Sequence, residues 1–319
     1  MRNRVVIRDL TSVKVIMNLL QQLCEVHAPS GNESAMTHFL LKYIDKQKQK
    51  WKSKFEIFYG EEFQDCIILK FGSPRTAIFA HIDTTGFTVR YENQLLPIGS
   101  PDASPGTMLT GADELGPIEC ELYFDQDHRA FYIFGRQIAR GTTLTYKVEF
   151  NEGRSYIESP YLDNRLGVYN ALKVAETLTD GVIIFSTWEE HGGGSVPYLA
   201  KFIYENWKIK QALISDITWV TDGVHHGKGV AISMRDRNIP RKAYIDRIIR
   251  IARKHKIPHQ LEVEGVGSSD GRELQISPYP FDWCFVGAPE QNAHSPSEKV
   301  HKNDIKSMIR LYEVLMKEL

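Results

Sequence analysis

The sequence predicts an α/β fold carrying an inserted all-β unit. Three observations predict it. Apolar strand-like runs alternate with helical periodicities in both outer parts of the chain. From about Thr85 to Tyr156 that helical periodicity disappears, and Gly and Pro recur between short β-rich runs. Acidic residues and histidines stand at the ends of the predicted strands, where an open α/β sheet carries its site. The expected organisation is a discontinuous main domain, 1–84 and 157–319, built on a mixed sheet between helices. Residues 85–156 are expected to form a small β-barrel-like lid.

The elements follow in order. Val13 to Val26 places Ile16, Leu19, Leu20 and Leu23 at amphipathic-helix spacing. Pro29-Ser30-Gly31-Asn32-Glu33 breaks the chain and offers caps for a second helix through Ile44. Phe55 to Tyr59, Cys66 to Phe71 and Thr76 to His81 are short β-rich runs, and the last reads as a buried central strand ending at a polar site. Glu121 to Phe124, Phe131 to Phe134 and Tyr146 to Phe150 are strand-like runs of the insert. Helices are then expected over Asp163–Leu178, Val196–Trp207, Ala243–His255 and Asn303–Leu319. Strands are expected over Val182–Thr187, Leu213–Asp216 and Phe281–Gly287.

Bulk properties narrow the function classes. Charged residues are 25% and hydrophobic residues 42% of 319, ordinary for a globular enzyme. A net charge of −1 gives no general attraction to nucleic acid or to an anionic membrane. No run approaches the ~18 apolar residues of a membrane span. Met1 to Leu20 does not read as a signal peptide. Cys24, Cys66, Cys120 and Cys284 form no Cys-x-x-Cys pair, which argues against a thiolate zinc site and for free thiols in the cytoplasm.

Five short motifs carry the chemistry. His81 and Asp83, two apart at a strand end, can face the same side, the imidazole as a metal ligand and the carboxylate as its orienting partner. Glu189-Glu190 follows the apolar strand Val182-Ile183-Ile184-Phe185 and precedes Gly192-Gly193-Gly194. Adjacent strand residues point to opposite faces, so both carboxylates serve one site only if the backbone leaves the strand there, which the glycines allow. One can then bind metal while the other takes a proton from water. Asp163 opens a predicted helix and Asp216 ends a predicted strand; His294 lies in the polar loop after the last strand. Taken singly, each has an ordinary explanation: a polar pair at a strand end, solvated glutamates, a helix cap or a surface histidine. Together, two histidines, two aspartates and a Glu-Glu pair each close or open a separate element, which scattered surface charge would not do.

The chain resembles the M42 glutamyl-aminopeptidase and TET aminopeptidases, within the co-catalytic zinc exopeptidases that also include the M28 and M20 families. The resemblance runs through Leu20 to Glu33, Ala80 to Gly86, Tyr161 to Ala171, Thr187 to Gly194 and Ser268 to Val300, including Gly287-Ala288-Pro289 and His294-Ser295-Pro296-Ser297-Glu298. The long interval between His81 and Asp163 is where M42-like enzymes carry a β lid; M20-like enzymes insert a dimerisation domain before the final histidine instead. The resemblance implies two divalent ions, zinc with cobalt or manganese as substitutes. His81, Asp163 and Asp216 would bind one, and Glu190 and His294 the other, with Asp163 bridging. Glu189 would be the general base and Asp83 would orient His81. A cis peptide is implied after Asp163. The expected activity is release of N-terminal residues from peptides by a homo-oligomer. The alternatives are an M20-like N-acyl amino acid deacylase or carboxypeptidase, a glutaminyl-cyclase-like acyltransferase, and a catalytically silent peptide binder.

Other residues rank lower. His225-His226 is expected in an exposed loop near the site, since adjacent histidines seldom point at one metal. His191 sits beside the Glu pair, Asp270 is expected to cap a helix near the site, and Arg136 and Arg140 are expected on an exposed face of the lid.

Overall fold

The computed structural model describes residues 18–319. Its first helix, α1, runs over 18–24, so 13–17 of the expected first helix lies outside the described residues. Helix α2 (Ser34–Gln47) follows, then strands β1 (Phe55–Phe58), β2 (Ile67–Phe71) and β3 (Ala77–His81). A smaller sheet is drawn from β4 (Gly86–Val89), β5 (Leu95–Ile98), β6 (Met108–Asp113), β7 (Gly116–Phe124), β8 (Ala130–Ile133) and β9 (Thr143–Tyr146). The chain returns through β10 (Asn151–Glu152), β11 (Tyr156–Ser159), α3 (Leu162–Ala175), β12 (Gly181–Ser186), α4 (Val196–Trp207) and β13 (Gln211–Trp219). It closes with β14 (Val230–Arg235), α5 (Lys242–Lys254), β15 (His259–Val263), α6 (Asp270–Ile276), β16 (Asp282–Gln291), β17 (Glu298–His301) and α7 (Lys302–Glu318).

The large sheet has the order β1-β2-β12-β3-β13-β16-β17-β11-β10, with β14 and β15 branching from β16. Its centre, β12-β3-β13-β16, is parallel. These strands are apolar almost throughout because both of their faces are covered. Ile78 and Ala80 of β3 pack into the core that holds Leu166 of α3, Ile248 of α5 and Leu311 of α7. Ala77 and Phe79, pointing the other way, pack with Val196, Leu199 and Ile203 of α4. A parallel centre also brings the carboxyl ends of four strands to one edge of the sheet, and that shared edge positions the site.

Strands β10, β11, β14, β15 and β17 are absent from the sequence expectations, being short or only partly apolar. Strand β10 and Tyr156, the first residue of β11, fall within the stretch expected to be insert, yet both pair in the large sheet.

In the smaller sheet the burial alternates. Ile118, Cys120 and Leu122 of β7 face inward, while Glu119, Glu121 and Tyr123 face out. The sheet nearly closes on itself, with Gln94 bridging to Phe131 and the Tyr132 amide donating to Asn93 O at 3.0 Å. Arg136 is bonded through both terminal nitrogens to the buried Asp113 carboxylate, at 2.7 and 2.8 Å.

The two sheets meet at a polar seam. His27 Nδ1 and Nε2 stand 3.0 and 2.9 Å from the hydroxyls of Thr145 and Thr143. Burial pushes the His27 imidazole down to about 4, with the Arg165 charge adding to the effect. Helix α3 packs so closely on β13 that a Cβ on Gly167 would stand 2.0 Å from Ser215 O and 2.1 Å from Asn164 Oδ1.

Two outcomes are expected. Gly167→Ala lowers unfolding free energy by about 1–3 kcal/mol in denaturant titration, as overpacked sites do, while Gly135→Ala, with open space around it, changes little. For His27 the folded pKa lies below the unfolded value of about 6.5, so the unfolded chain binds more protons between pH 4 and 6.5. Its contribution is present above pH 6.5 and lost as pH falls toward 4. The stability difference between wild type and His27→Gln therefore shrinks across that window in paired melts.

Candidate active site

His81 ends β3, and β12 pairs beside it in parallel register through Ser186. After Thr187 the chain leaves β12 at Trp188, whose φ is +62°. That left-handed residue begins the departure from the strand, and Gly192 and Gly193, at φ of +96° and +77°, continue it, the Gly193 amide donating to Trp188 O at 2.8 Å. Asp216 lies in β13 opposite Gly287 of β16, where a Cβ would meet Asp216 O at 2.4 Å; only glycine permits that approach. Asp163 stands in the irregular first turn of α3, and the peptide joining it to Asn164 is cis. The Asn164 side chain ties this turn down, donating to Ser215 O at 2.8 Å and accepting from the Gly167 amide at 2.8 Å.

The donor atoms converge as two triads sharing one residue, His81-Asp163-Asp216 and Asp163-Glu190-His294. His81 Nε2 is 3.3 Å from Asp163 Oδ1 and 3.6 Å from Asp216 Oδ2. His294 Nε2 is 3.3 Å from Asp163 Oδ2 and 3.2 Å from Glu190 Oε2. Asp163 thus offers a different oxygen to each histidine. Ligands about 2.0–2.1 Å from a tetrahedral ion lie about 3.3 Å from one another. The observed separations fit that spacing. Glu190 Oε1 is buried without a hydrogen-bond partner, a further donor with no other claim on it.

Asp83 lies directly behind these groups, with no exposed surface. Its Oδ1 is 3.4 Å from His81 Nδ1, near enough to attract it though off the line of a good hydrogen bond. The same carboxylate accepts the amides of Glu189 and Glu190 at 3.1 and 3.0 Å and the Ser30 hydroxyl at 2.5 Å. On the other side His294 is held from the smaller sheet. Its Nδ1 meets Ser100 O at 3.1 Å, and its carbonyl accepts the Asp102 amide at 2.9 Å and the Tyr146 hydroxyl at 3.0 Å. With Nδ1 donating to a carbonyl, the tautomer that leaves Nε2 free as a ligand is selected.

Charge is crowded here. Burial raises Glu189, Glu190, Glu290 and Glu298 well above the usual carboxylate range, with neighbouring carboxylates adding to it. Burial brings Asp216 to about 6 and Asp270 to about 7. Burial would raise Asp163 too, but the hydrogen bonds from His294 and His81 outweigh it and hold it below its ordinary value. Burial opposes the charged form of His81, yet Asp216 and Glu189 reverse that and lift it well above an ordinary histidine. Such a set is relieved by protons or by cations, and hard-oxygen plus imidazole donors suit zinc, cobalt or manganese.

Several contributors carry no local sequence signal, because they lie far from the ligands in the chain. Ser100 and Tyr146 belong to this group. Glu298 is different: it closes the His294-Ser295-Pro296-Ser297-Glu298 run and accepts the amides of both His294, at 2.9 Å, and Asp163, at 3.1 Å. Asp270 is the first residue of α6 but accepts the Ser186 hydroxyl at 2.5 Å instead of capping its helix. His191 Nδ1 accepts the Gly99 amide at 2.9 Å, joining the two sheets. His225 is exposed, and His226 packs edge-on against Tyr156 rather than among the donors.

With this geometry established, comparison with known proteins gives the chain its family. The model of the M42 glutamyl aminopeptidase family matches residues 133–311, more than half of the sequence, and the chain belongs to that family. A curated relative from Acetivibrio thermocellus is 28% identical over 165 residues, so the chain spans about half the length of that relative (49%) in the match. Among solved structures, an aminopeptidase from the archaeon Desulfurococcus kamchatkensis has a TM-score of 0.85 at 21% identity, covering 96% of this chain and 95% of its own. A TET aminopeptidase from a marine-sediment thaumarchaeote has a TM-score of 0.85 at 17% identity, covering 97% of each. The TET1 peptidase of Pyrococcus horikoshii has 0.79 at 20%, covering 95% of this chain and 100% of its own. At these identities the likeness is one of fold.

The crowding yields a measurable expectation. In thermal melts after chelation and dialysis, added zinc, cobalt or manganese raises the midpoint of wild type by mass action. Asp163→Asn, which removes the charge shared by both triads, loses most of that rise.

Proposed function

We propose that the protein is an aminopeptidase working with two divalent cations, zinc or in its place cobalt or manganese. The observation that carries this reading is the division of Asp163 between two histidines, with Glu189 Oε2 3.9 Å from His81 Nε2 and in neither triad. His81, Asp163 and Asp216 would hold one cation, and Asp163, Glu190 and His294 the other. Bound there, the cations would polarise the carbonyl of the bond to be cut and make a water nucleophilic near neutral pH.

The chain's own groups do the rest. Glu189 lines the cavity, and its buried carboxylate, raised in pKa, takes the proton of the attacking water and hands it to the leaving amine. Asp83 holds the Glu189 and Glu190 amides and draws on His81 Nδ1, so it positions base and ligands together. Ser100 O fixes the His294 ring. The smaller sheet, from Gly86 to Tyr146, acts as a lid over the domain built on the large sheet, and peptides are the substrates.

We place the protein in the cytoplasm as a homo-oligomer. All four cysteines are free and buried, which suits a reducing compartment, and no helix among the described residues is long and apolar enough to cross a membrane. The Pyrococcus horikoshii TET1 peptidase can assemble into a tetrahedron or a large octahedral shell.

The test is release of free amino acids from a peptide mixture by metal-loaded protein, followed by mass spectrometry. Wild type is expected to shorten peptides from free N-termini and to leave N-acetylated ones intact. Glu189→Gln is expected to lose about 10²–10⁴-fold in kcat, with metal content unchanged. Preferential cleavage of acylated substrates would replace this reading with a deacylase.

A further inference from the structure

The cavity at the donor cluster has a volume of about 310 Å³ and extends well beyond Glu189 and His294, to a wall built by β14, β15 and the loop before α6. That wall is acidic. Asp236, Glu262 and Glu264 line it, and among the described residues none of the three is in an ion pair. The lining cation, Arg272, is exposed and already paired with Glu273 at 2.5 Å. Glu262 is the telling group. It is 4% exposed, and one of its oxygens accepts the Thr218 hydroxyl. The buried Ser233 hydroxyl completes no hydrogen bond, and among the described residues no donor is bonded to the second oxygen of Glu262, which lines the cavity. Burial lifts Glu262 to about 7, and the charges of Glu264 and Asp236 add to this. A buried carboxylate without a cation is costly; a proton relieves that cost, and a cation entering the cavity relieves it in the proton's place. The same cavity also has an apolar flank, where Trp219 and Val266 are 38% and 61% exposed. An aliphatic stem can lie on such a surface while its charged head reaches further in.

We infer that this wall selects peptides whose N-terminal residue is cationic, lysine or arginine. The inference rests on the aminopeptidase reading above and gives that site its substrate class. The α-amine alone does not explain the wall, since every free N-terminus carries one. An N-terminal glutamate would face Asp236, Glu262 and Glu264, none of them in an ion pair among the described residues, so this chain departs from the preference in its family's name.

The experiment has a turnover arm and a binding arm. Peptides identical except for N-terminal Lys, Arg, norleucine, Leu or Glu are cleaved by the metal-loaded protein and ranked by kcat/KM. Lys and Arg are expected to exceed norleucine by about tenfold or more, as for a charge-assisted contact, with Glu slowest. Glu262→Gln is expected to lower the Lys-to-norleucine ratio about tenfold, and the half-buried Glu264→Gln, a milder change to the fold, lowers it in the same direction. In the binding arm, lysinamide is expected to bind the Glu189→Gln protein more tightly than norleucinamide, by calorimetry. Fastest cleavage of norleucine, Leu or Glu, or a ratio unmoved in both variants, overturns the inference while leaving the aminopeptidase. If no peptide is cleaved, the aminopeptidase reading fails; equal affinity for the two amides then overturns the cation site as well.

Discussion

Asp163, Glu189, Glu190, Asp216, Asp270, Glu290 and Glu298 crowd into one largely buried site whose facing imidazoles are His81 and His294, and the surrounding fold is arranged to hold that charge. Desolvation opposes every one of these carboxylates. The compensation is built from backbone. Glu298 accepts two amides, Asp83 accepts two more, and Asp216 Oδ1 accepts the Ile217 amide. Arg165, fully buried on α3, donates to Ile82 O and Val26 O and places a fixed positive charge near Asp83. Glu290 keeps both oxygens unpartnered. A site this far from neutrality is one that cations complete.

Much of this was legible in the sequence wherever a side chain's role follows from its own strand. Parallel central strands are covered on both faces, so Thr76–His81 and Val182–Phe185 read as continuous apolar runs, and the polar residues that end them stand out. His81, Glu189, Glu190 and Asp216 stand out in this way, whereas Asp163 at a helix start and His294 in a loop gain weight only beside the others; the structure brings all six together. The amphipathic helices were equally visible, with Val196–Trp207 matching at both ends.

What stayed hidden depends on contacts across the chain. No local pattern says that Trp188 adopts the left-handed conformation, since its Cβ makes that conformation unfavourable by default. Strands β10 and β17 are too short to show a period, and β15 exposes Leu261 and Val263 while burying Glu262, an inverted pattern that hides both the strand and the acidic wall. Ser100 and Tyr146 lie 194 and 148 positions from His294, and only the folded chain joins them.

That last connection bears on how the molecule comes together. His294 lies in the last part of the chain, yet its ring and backbone are fixed by Ser100, Asp102 and Tyr146 from the intervening β unit. The donor set is therefore complete only after the β unit has folded and docked, whatever the state of the large sheet. Excising the β unit would release His294 from all three of these contacts and leave a ligand of the second triad unheld.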